Sequence, residues 1–149
     1  MLEGGGRGSL SAATVVGYGG IDASLQPCSA GDAPLSLLPR AQSVDLVFDA
    51  ADVFTALLDA PRMSEARLRQ ALPSLVEERL LSDAADCHLA YAIGVTAGTS
   101  AQVTVAAIDR VTLTRALEAA SEAELRPRSA CSPSCRRGAR CWRAAGAGR

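Results

Sequence analysis

The segment Arg67–Asp83, with the sequence RLRQALPSLVEERLLSD, tells more about the fold than any other part of this chain. Its apolar residues recur at steps of three and four, which is the spacing of one face of an α-helix. These residues are Leu68, Ala71, Leu72, Leu75, Val76 and Leu80. The charged and polar residues between them are Arg67, Arg69, Gln70, Glu77, Glu78 and Arg79. The pattern predicts an amphipathic helix that buries its apolar face.

Pro73 lies in the middle of this predicted helix. Proline lacks a backbone N–H, and its ring clashes with the preceding turn. Pro73 therefore either kinks the helix or begins a second helix at its first position, where the N–H would have no helical partner. Upstream, Ser64 is the predicted N-cap, and Glu65 in the first turn suits the positive end of the helix dipole.

Apolar runs on both sides of the helix predict strands. Val44–Phe48 suits a buried strand, and Val53–Leu58 follows a turn at 49–52, although its alanine-rich context also fits a helix. Cys87–Ile93 and Ala101–Ala107 flank the turn sequence GVTAGTS and predict a β-hairpin.

A second helix is predicted to follow Asp109, which is its N-cap. The apolar stripe of this helix consists of Leu113, Ala116, Leu117 and Ala120. The order strand–strand–helix–strand–strand–helix predicts an α/β or α+β fold in which helices cover a mixed sheet.

The first 34 residues are predicted to form a flexible segment with one short strand. Residues 1–12 are rich in glycine and are expected to have little order. Ala13–Tyr18 suits a short strand, whereas Asp22–Leu35 has the Pro, Gly, Ser and Asp content of a loop.

Charge divides the chain into two parts. Residues 1–125 hold all sixteen acidic residues and eight Arg, whereas residues 126–149 hold seven Arg and no acidic residue. The second part has no Leu, Ile or Val, so burial cannot offset the entropy lost by ordering it. We therefore expect residues 127–149 to be a disordered, dispensable Arg- and Cys-rich tail, of the kind that a shifted reading frame would produce.

Residues 71–88, with the sequence ALPSLVEERLLSDAADCH, resemble a motif of the L protein family of the type II secretion system (GspL). In that family an ALPxxLEExLxxDxxxxH helix leads into a strand. The resemblance covers residues 35–126: Ser43–Met63 looks like the family's strand pair before the helix, and Gln102–Pro127 looks like its next strand and helix. Residues beyond Arg128 do not match.

This resemblance implies an α/β fold that is the first part of an actin-like, ribonuclease-H-like cytoplasmic region. In the family, that region has no ATPase activity and holds the secretion ATPase (GspE) at the inner membrane, while the periplasmic part pairs with GspM. The implied function is a non-enzymatic scaffold on the cytoplasmic face of the bacterial inner membrane. The resemblance is also compatible with a homodimer. The chain has no run of 18 apolar residues, so we expect a truncated cytoplasmic region without a transmembrane helix.

The rival function is that of an actin-like, ATP-binding protein of pilus assembly, similar to PilM. Such ATPases need an acidic residue and a glycine-containing turn whose N–H groups face the phosphates. The nearest segment, Gly17–Ser24, has its glycines before Asp22 and none directly after it, and the chain has no Lys to grip a phosphate. We interpret this segment as an ordinary glycine loop and predict no cofactor.

Other reactive side chains do not predict a site. Cys87 and His88 are neighbours in a predicted strand, so their side chains point to opposite faces and no catalytic pair is expected. Cys131, Cys135 and Cys141 lack a fourth ligand, so no metal is predicted. The basic tail has a single Trp and no recognition fold, and no nucleic-acid partner is predicted.

Glu77, Glu78 and Arg79 are the candidate binding residues of the chain. Adjacent helix residues diverge by about 100°, so the two carboxylates cannot flank one substrate bond as catalytic pairs do. Two interpretations remain, which are a solvated helix face and a contact surface for a partner. The family resemblance favours the partner contact.

Overall fold

A computed structural model of the chain describes residues 10–131 and 142–143. Its strands are β1 (Val15–Ile21), β2 (Pro27–Pro34), β3 (Val44–Val47), β4 (Val53–Pro61), β5 (Cys87–Ala97), β6 (Ser100–Asp109), β7 (Pro127–Cys131) and β8 (Trp142–Arg143). Its α-helices are α1 (Glu65–Val76) and α2 (Arg110–Glu122). The chain divides into two compact units, one made of residues 1–43 and 114–126, the other of residues 44–113 and 127–149.

The first unit contains an antiparallel hairpin of β1 and β2. Tyr18 lies opposite Gly31, and a Cβ added at Gly31 would be 3.4 Å from the Tyr18 ring, so glycine makes room for the aromatic side chain. The short strand predicted at Ala13–Tyr18 is confirmed as β1. The predicted loop at Asp22–Leu35 is wrong, because most of that segment is β2, whose pairing with β1 overrides its weak strand propensity.

The second unit is built around an antiparallel sheet with the strand order β4–β6–β5. Helix α1 packs on one face of this sheet and contributes its buried residues to a shared core. The buried members of this core are Leu58, Ala60, Leu68, Leu72, Val76, Ala84, Val103 and Val105. The strand–helix–strand–strand order therefore places the helix where its apolar stripe meets the apolar face of the sheet.

Helix α1 confirms the predicted pattern but is shorter than expected. Leu68, Leu72 and Val76 are 3%, 2% and 0% exposed, respectively, and Ser64 is the N-cap, with its hydroxyl accepting from the Arg67 N–H at 3.4 Å. Pro73 lies inside the helix, which continues to Val76 and then tightens into a 3-10 turn at Glu77–Arg79.

The predicted hairpin after the helix is confirmed, since β5 pairs with β6 around Gly98, whose φ of +58° suits glycine. Asp109 is confirmed as the cap of α2, because its Oδ1 accepts from the Thr112 N–H at 2.7 Å. Leu113 and Ala120 on the predicted stripe are buried, and Ala119 joins them. No helix within residues 10–131 has the length and apolar character needed to cross a membrane.

Strands β3 and β7 correct two predictions. The two strands expected before α1 both form, as β3 and β4. They do not pair with each other, because β3 pairs with β7 in parallel, whereas β4 joins the other sheet. The expected disorder of residues 127–149 is wrong for Pro127–Cys131, which form β7 between β3 and β8. Asp45 of β3 accepts a hydrogen bond from the Ser129 hydroxyl at 2.6 Å and pairs with Arg128 at 3.5 Å. Residues 1–9, 132–141 and 144–149 of the predicted flexible ends lie outside the described residues.

Candidate partner-binding site

Glu77, Glu78 and Arg79 occupy a single 3-10 turn that directly follows α1. The Glu77 N–H donates to the Pro73 carbonyl, and the Leu80 N–H donates to the Val76 carbonyl at 3.0 Å, so the turn stays attached to the helix. All three side chains are exposed, as the amphipathic pattern predicts. The three side chains are thus exposed at the end of α1 and diverge by about 120° from one another around the turn.

The position of the two carboxylates is unfavourable for stability. The carboxyl end of a helix carries a partial negative charge, which favours Lys or Arg and disfavours Asp or Glu. The last turn of α1 contains no basic residue, and Glu77 and Glu78 follow it directly. Within residues 10–131, neither carboxylate forms an ion pair or a side-chain hydrogen bond. The contacts of the described residues therefore give these two carboxylates no stabilising role.

The residue that precedes the turn is buried, whereas the turn itself is exposed. Val76, the residue before the turn, is completely buried in the core of the sheet. At the other end of α1, the Tyr91 hydroxyl of β5 donates to Glu65 Oε1 at 3.0 Å, and Arg69 pairs with the same oxygen at 3.3 Å. Helix α1 therefore contacts the sheet both near its first turn, through Tyr91, and at its last residue, through Val76.

Leu81, two residues after the turn, is an exposed apolar residue that the sequence pattern does not identify. Its exposure is 106%, the highest among the large apolar residues described. It follows Leu80 directly, so it falls outside the three- and four-residue spacing of the buried stripe. An exposed leucine therefore follows the charged turn closely in the chain.

The interpretation of Gly17–Ser24 as a glycine loop is wrong for residues 17–21, which lie in a strand. Gly17, Gly19 and Gly20 lie in β1, and the connection to β2 is made by residues 22–26. In that connection Asp22 Oδ1 accepts from the N–H groups of Ser24 and Gln26 at 2.8 and 3.0 Å. The N–H groups that a phosphate would need are thus bonded to a carboxylate, which also repels anions.

Cys87 and His88 begin β5, where adjacent side chains alternate between faces. Burial is the main cause that raises the pKa of the Cys87 thiol, and the charges of Asp109 and Asp86 add to it. Burial and the nearby Arg110 guanidinium lower the pKa of His88. The thiol is therefore protonated and the imidazole neutral at pH 7, so the geometry and the charges of this pair do not favour a thiolate nucleophile.

Of the three tail cysteines, only Cys131 lies in the described residues, as the last residue of β7. Burial and the charge of Asp45 raise the pKa of its thiol. The described residues contain no group of three or more His, Cys, Asp or Glu side chains that could hold a metal ion.

Comparison with protein families gives a match to the family described as type II secretion system (T2SS), protein L, over residues 27–135. This match extends beyond the predicted limits of 35–126 at both ends, so the expectation that nothing matches beyond Arg128 is wrong. No curated protein sequence gives a significant match.

Two solved structures are similar to the chain. One is the cytoplasmic domain of EpsL, an inner membrane component of the type II secretion system of Vibrio cholerae, with 17% identity and a TM-score of 0.63 over 81% of this chain and 52% of that chain. The other is in a PilM–PilN type IV pilus biogenesis complex, with 17% identity and a TM-score of 0.61 over 83% of this chain and 45% of that chain. The chain thus spans about half the length of each, and the predicted partial actin-like α/β fold is confirmed.

Proposed function

We infer the function from one premise: the chain belongs to the type II secretion system protein L family, whose model matches residues 27–135. The resemblance predicted from the ALPSLVEERL motif is confirmed by this match, and the chain is a protein of the type II secretion system. Within that system we propose that it is a non-enzymatic scaffold on the cytoplasmic face of the inner membrane. Its proposed task is to hold the secretion ATPase (GspE) at the membrane platform, of which GspM is another proposed member.

The observation that supports the Glu77–Arg79 turn as the contact is electrostatic: its two carboxylates lie where negative charge lowers the stability of the helix. Two carboxylates follow the negative end of α1, and neither has an ionic partner within residues 10–131. A basic surface of the ATPase would provide the missing partners, and Leu81 would add apolar contact area. The proposal therefore predicts an ATPase surface rich in Arg or Lys.

The test is binding of the purified chain to the secretion ATPase of the same organism, with Glu77→Arg and Glu78→Arg variants. Reversing a charge that faces a basic surface should raise the Kd about tenfold or more. The same changes should leave the free energy of unfolding unchanged or raise it by about 0.3–1 kcal/mol, because Arg suits the carboxyl end of a helix. Calorimetry and denaturant melts measure the two effects.

Glu118→Arg is the matched control, since Glu118 is also an exposed helical glutamate. It should bind the ATPase like the parent. If the parent binds and both Glu77→Arg and Glu78→Arg bind equally well, the contact lies elsewhere. If the parent does not bind the ATPase, the proposed scaffold function itself is wrong.

The alternative, an actin-like ATP-binding protein of pilus assembly, has less support. The similar chain in the PilM–PilN complex has 17% sequence identity to this chain, a level that informs about the fold only. The bonded N–H groups of the β1–β2 connection also argue against a phosphate cradle at that position.

A further inference from the structure

The connection between β1 and β2 is organised around Asp22. The Leu25 N–H donates to the Asp22 carbonyl at 3.0 Å, and the Asp22 N–H donates to the Gln26 carbonyl at 2.9 Å. Asp22 Oδ1 also accepts from the N–H groups of Ser24 and Gln26 at 2.8 and 3.0 Å. The conformation of this connection is therefore defined by its own hydrogen bonds.

Leu25 has an unusual backbone conformation in this connection. Its φ is +61°, in the left-handed region. A β-turn followed by a left-handed residue is a common way to join two antiparallel strands, and glycine is the usual residue at that position. The Cβ of most other residues crowds the next carbonyl oxygen there, whereas Asn is tolerated. Leucine at position 25 thus destabilises the hairpin relative to Gly or Asn.

The apolar side chains at this end of the hairpin are exposed. Leu25 is 81% exposed, and Ile21, the last residue of β1, is 69% exposed. Among the large apolar residues described, only Leu81 is more exposed than Leu25. Backbone strain that folding does not require is found at ligand and partner contacts, where it holds a side chain in its binding position. The strained residue of this hairpin is thus also the one whose side chain is available to another molecule.

Charge favours a protein partner over a membrane surface. Residues 10–39 contain two acidic residues, Asp22 and Asp32, and no Arg or Lys. Asp32 lies opposite Gly17, on the exposed hairpin face that also carries Ile21, and it forms no ion pair in the described part of the chain. Anionic lipid surfaces attract basic segments and repel acidic ones. The matching partner surface is therefore an apolar cleft bordered by Arg or Lys.

We propose that Ile21 and Leu25 form a second contact with the secretion ATPase, in which both side chains enter an apolar cleft that is bordered by basic residues. This inference rests on the proposed function for the identity of the partner. It goes beyond that function because the contact lies in the first unit and is mainly apolar, whereas the Glu77–Arg79 turn lies in the second unit and is charged. A partner with a basic surface complements the acidic residues of both contacts.

A Leu25→Asn variant of the full chain tests the proposal, because it should change stability and binding in opposite directions. Asn accepts the left-handed conformation, so the unfolding midpoint should stay the same or rise. The Kd for the ATPase should rise about tenfold or more, because the apolar contact is lost. Misfolding cannot produce this combination. Leu25→Met keeps an apolar side chain, and its Kd should stay within about threefold of the parent.

Leu37→Asn is the matched control, since Leu37 is a 72% exposed leucine outside the hairpin. It should bind the ATPase like the parent. Sedimentation with vesicles of equal parts phosphatidylcholine and phosphatidylglycerol tests the membrane instead, and the chain should stay in the supernatant.

Three results would overturn the proposal. If the parent binds the ATPase and Leu25→Asn binds equally well, the hairpin contact is wrong and the scaffold function stands. If the parent does not bind the ATPase, both are wrong. Vesicle binding that Leu25→Asn abolishes would identify the hairpin as a membrane contact.

Discussion

At the scale of single residues, exposure divides the apolar stripe of α1 into two kinds of position. Leu72 is 2% exposed and lies in the core between helix and sheet, whereas Leu75 is only half-buried at its edge. The sequence pattern treats the two leucines alike, because both have the spacing of the same helix face. Packing against the sheet distinguishes them.

Leu72→Ala should lower the free energy of unfolding by about 2–5 kcal/mol, through lost burial and the cavity that remains. Leu75→Ala should cost less, about 1 kcal/mol, because part of its side chain is already in water. Denaturant unfolding followed by circular dichroism measures both values. An equal loss in the two variants would contradict the difference in burial, and the exposed Ser74→Ala change serves as a control.

At the scale of elements, β7 shows that a strand can form without branched aliphatic residues. Its sequence, PRSAC, has no Leu, Ile or Val, yet it pairs with β3 on one side and β8 on the other. Ala130 is 4% exposed, and Phe48 N–H donates to the Cys131 carbonyl at 2.9 Å. Backbone pairing with an apolar neighbour, VDLV in β3, replaces the missing side-chain burial.

A chain that ends after Arg126 should therefore be less stable than one that ends after Cys131. Removing β7 leaves the backbone of β3 unpaired and removes both contacts of Asp45. We expect slow amide exchange in β7 of the full chain and a lower unfolding midpoint in the shorter truncation. Equal midpoints, together with fast exchange across Pro127–Cys131, would show that this strand does not contribute to the fold.

At the scale of the whole molecule, the chain combines an actin-like fold with features that disfavour a nucleotide. The family match covers residues 27–135, and the two similar structures share the fold at 17% identity. The β1–β2 connection uses its N–H groups for Asp22, and the chain contains no Lys. Shared architecture therefore does not imply shared chemistry.

We expect no measurable ATP binding by calorimetry at physiological magnesium, because the candidate phosphate turn is bonded to a carboxylate. Micromolar, saturable binding that is lost when Gly19 and Gly20 are changed would favour the pilus-assembly alternative. The Asp22→Asn variant is informative as well. This variant removes the negative charge from the β1–β2 connection. It should still not bind ATP, because the chain has no Lys to hold a phosphate.

Local features of this protein follow from its amino-acid sequence alone. Helix α1, its Ser64 cap, the β5–β6 hairpin and the Asp109 cap were all predicted, because each depends on residues close together in the chain. The family was predicted from the same region, since the ALPSLVEERL motif combines a proline with paired glutamates in one short segment. The partner role of Glu77, Glu78 and Arg79 stays a prediction.

The pairing of distant segments, by contrast, depends on the three-dimensional arrangement of the chain. The β3–β7 pairing joins residues as far apart as Asp45 and Ser129, which are 84 positions apart in the chain. β2 is a strand because β1 lies beside it, although its own residues favour a loop. The physical reason is that every non-proline residue offers the same backbone N–H and C=O, so pairing depends on position in space more than on side-chain identity.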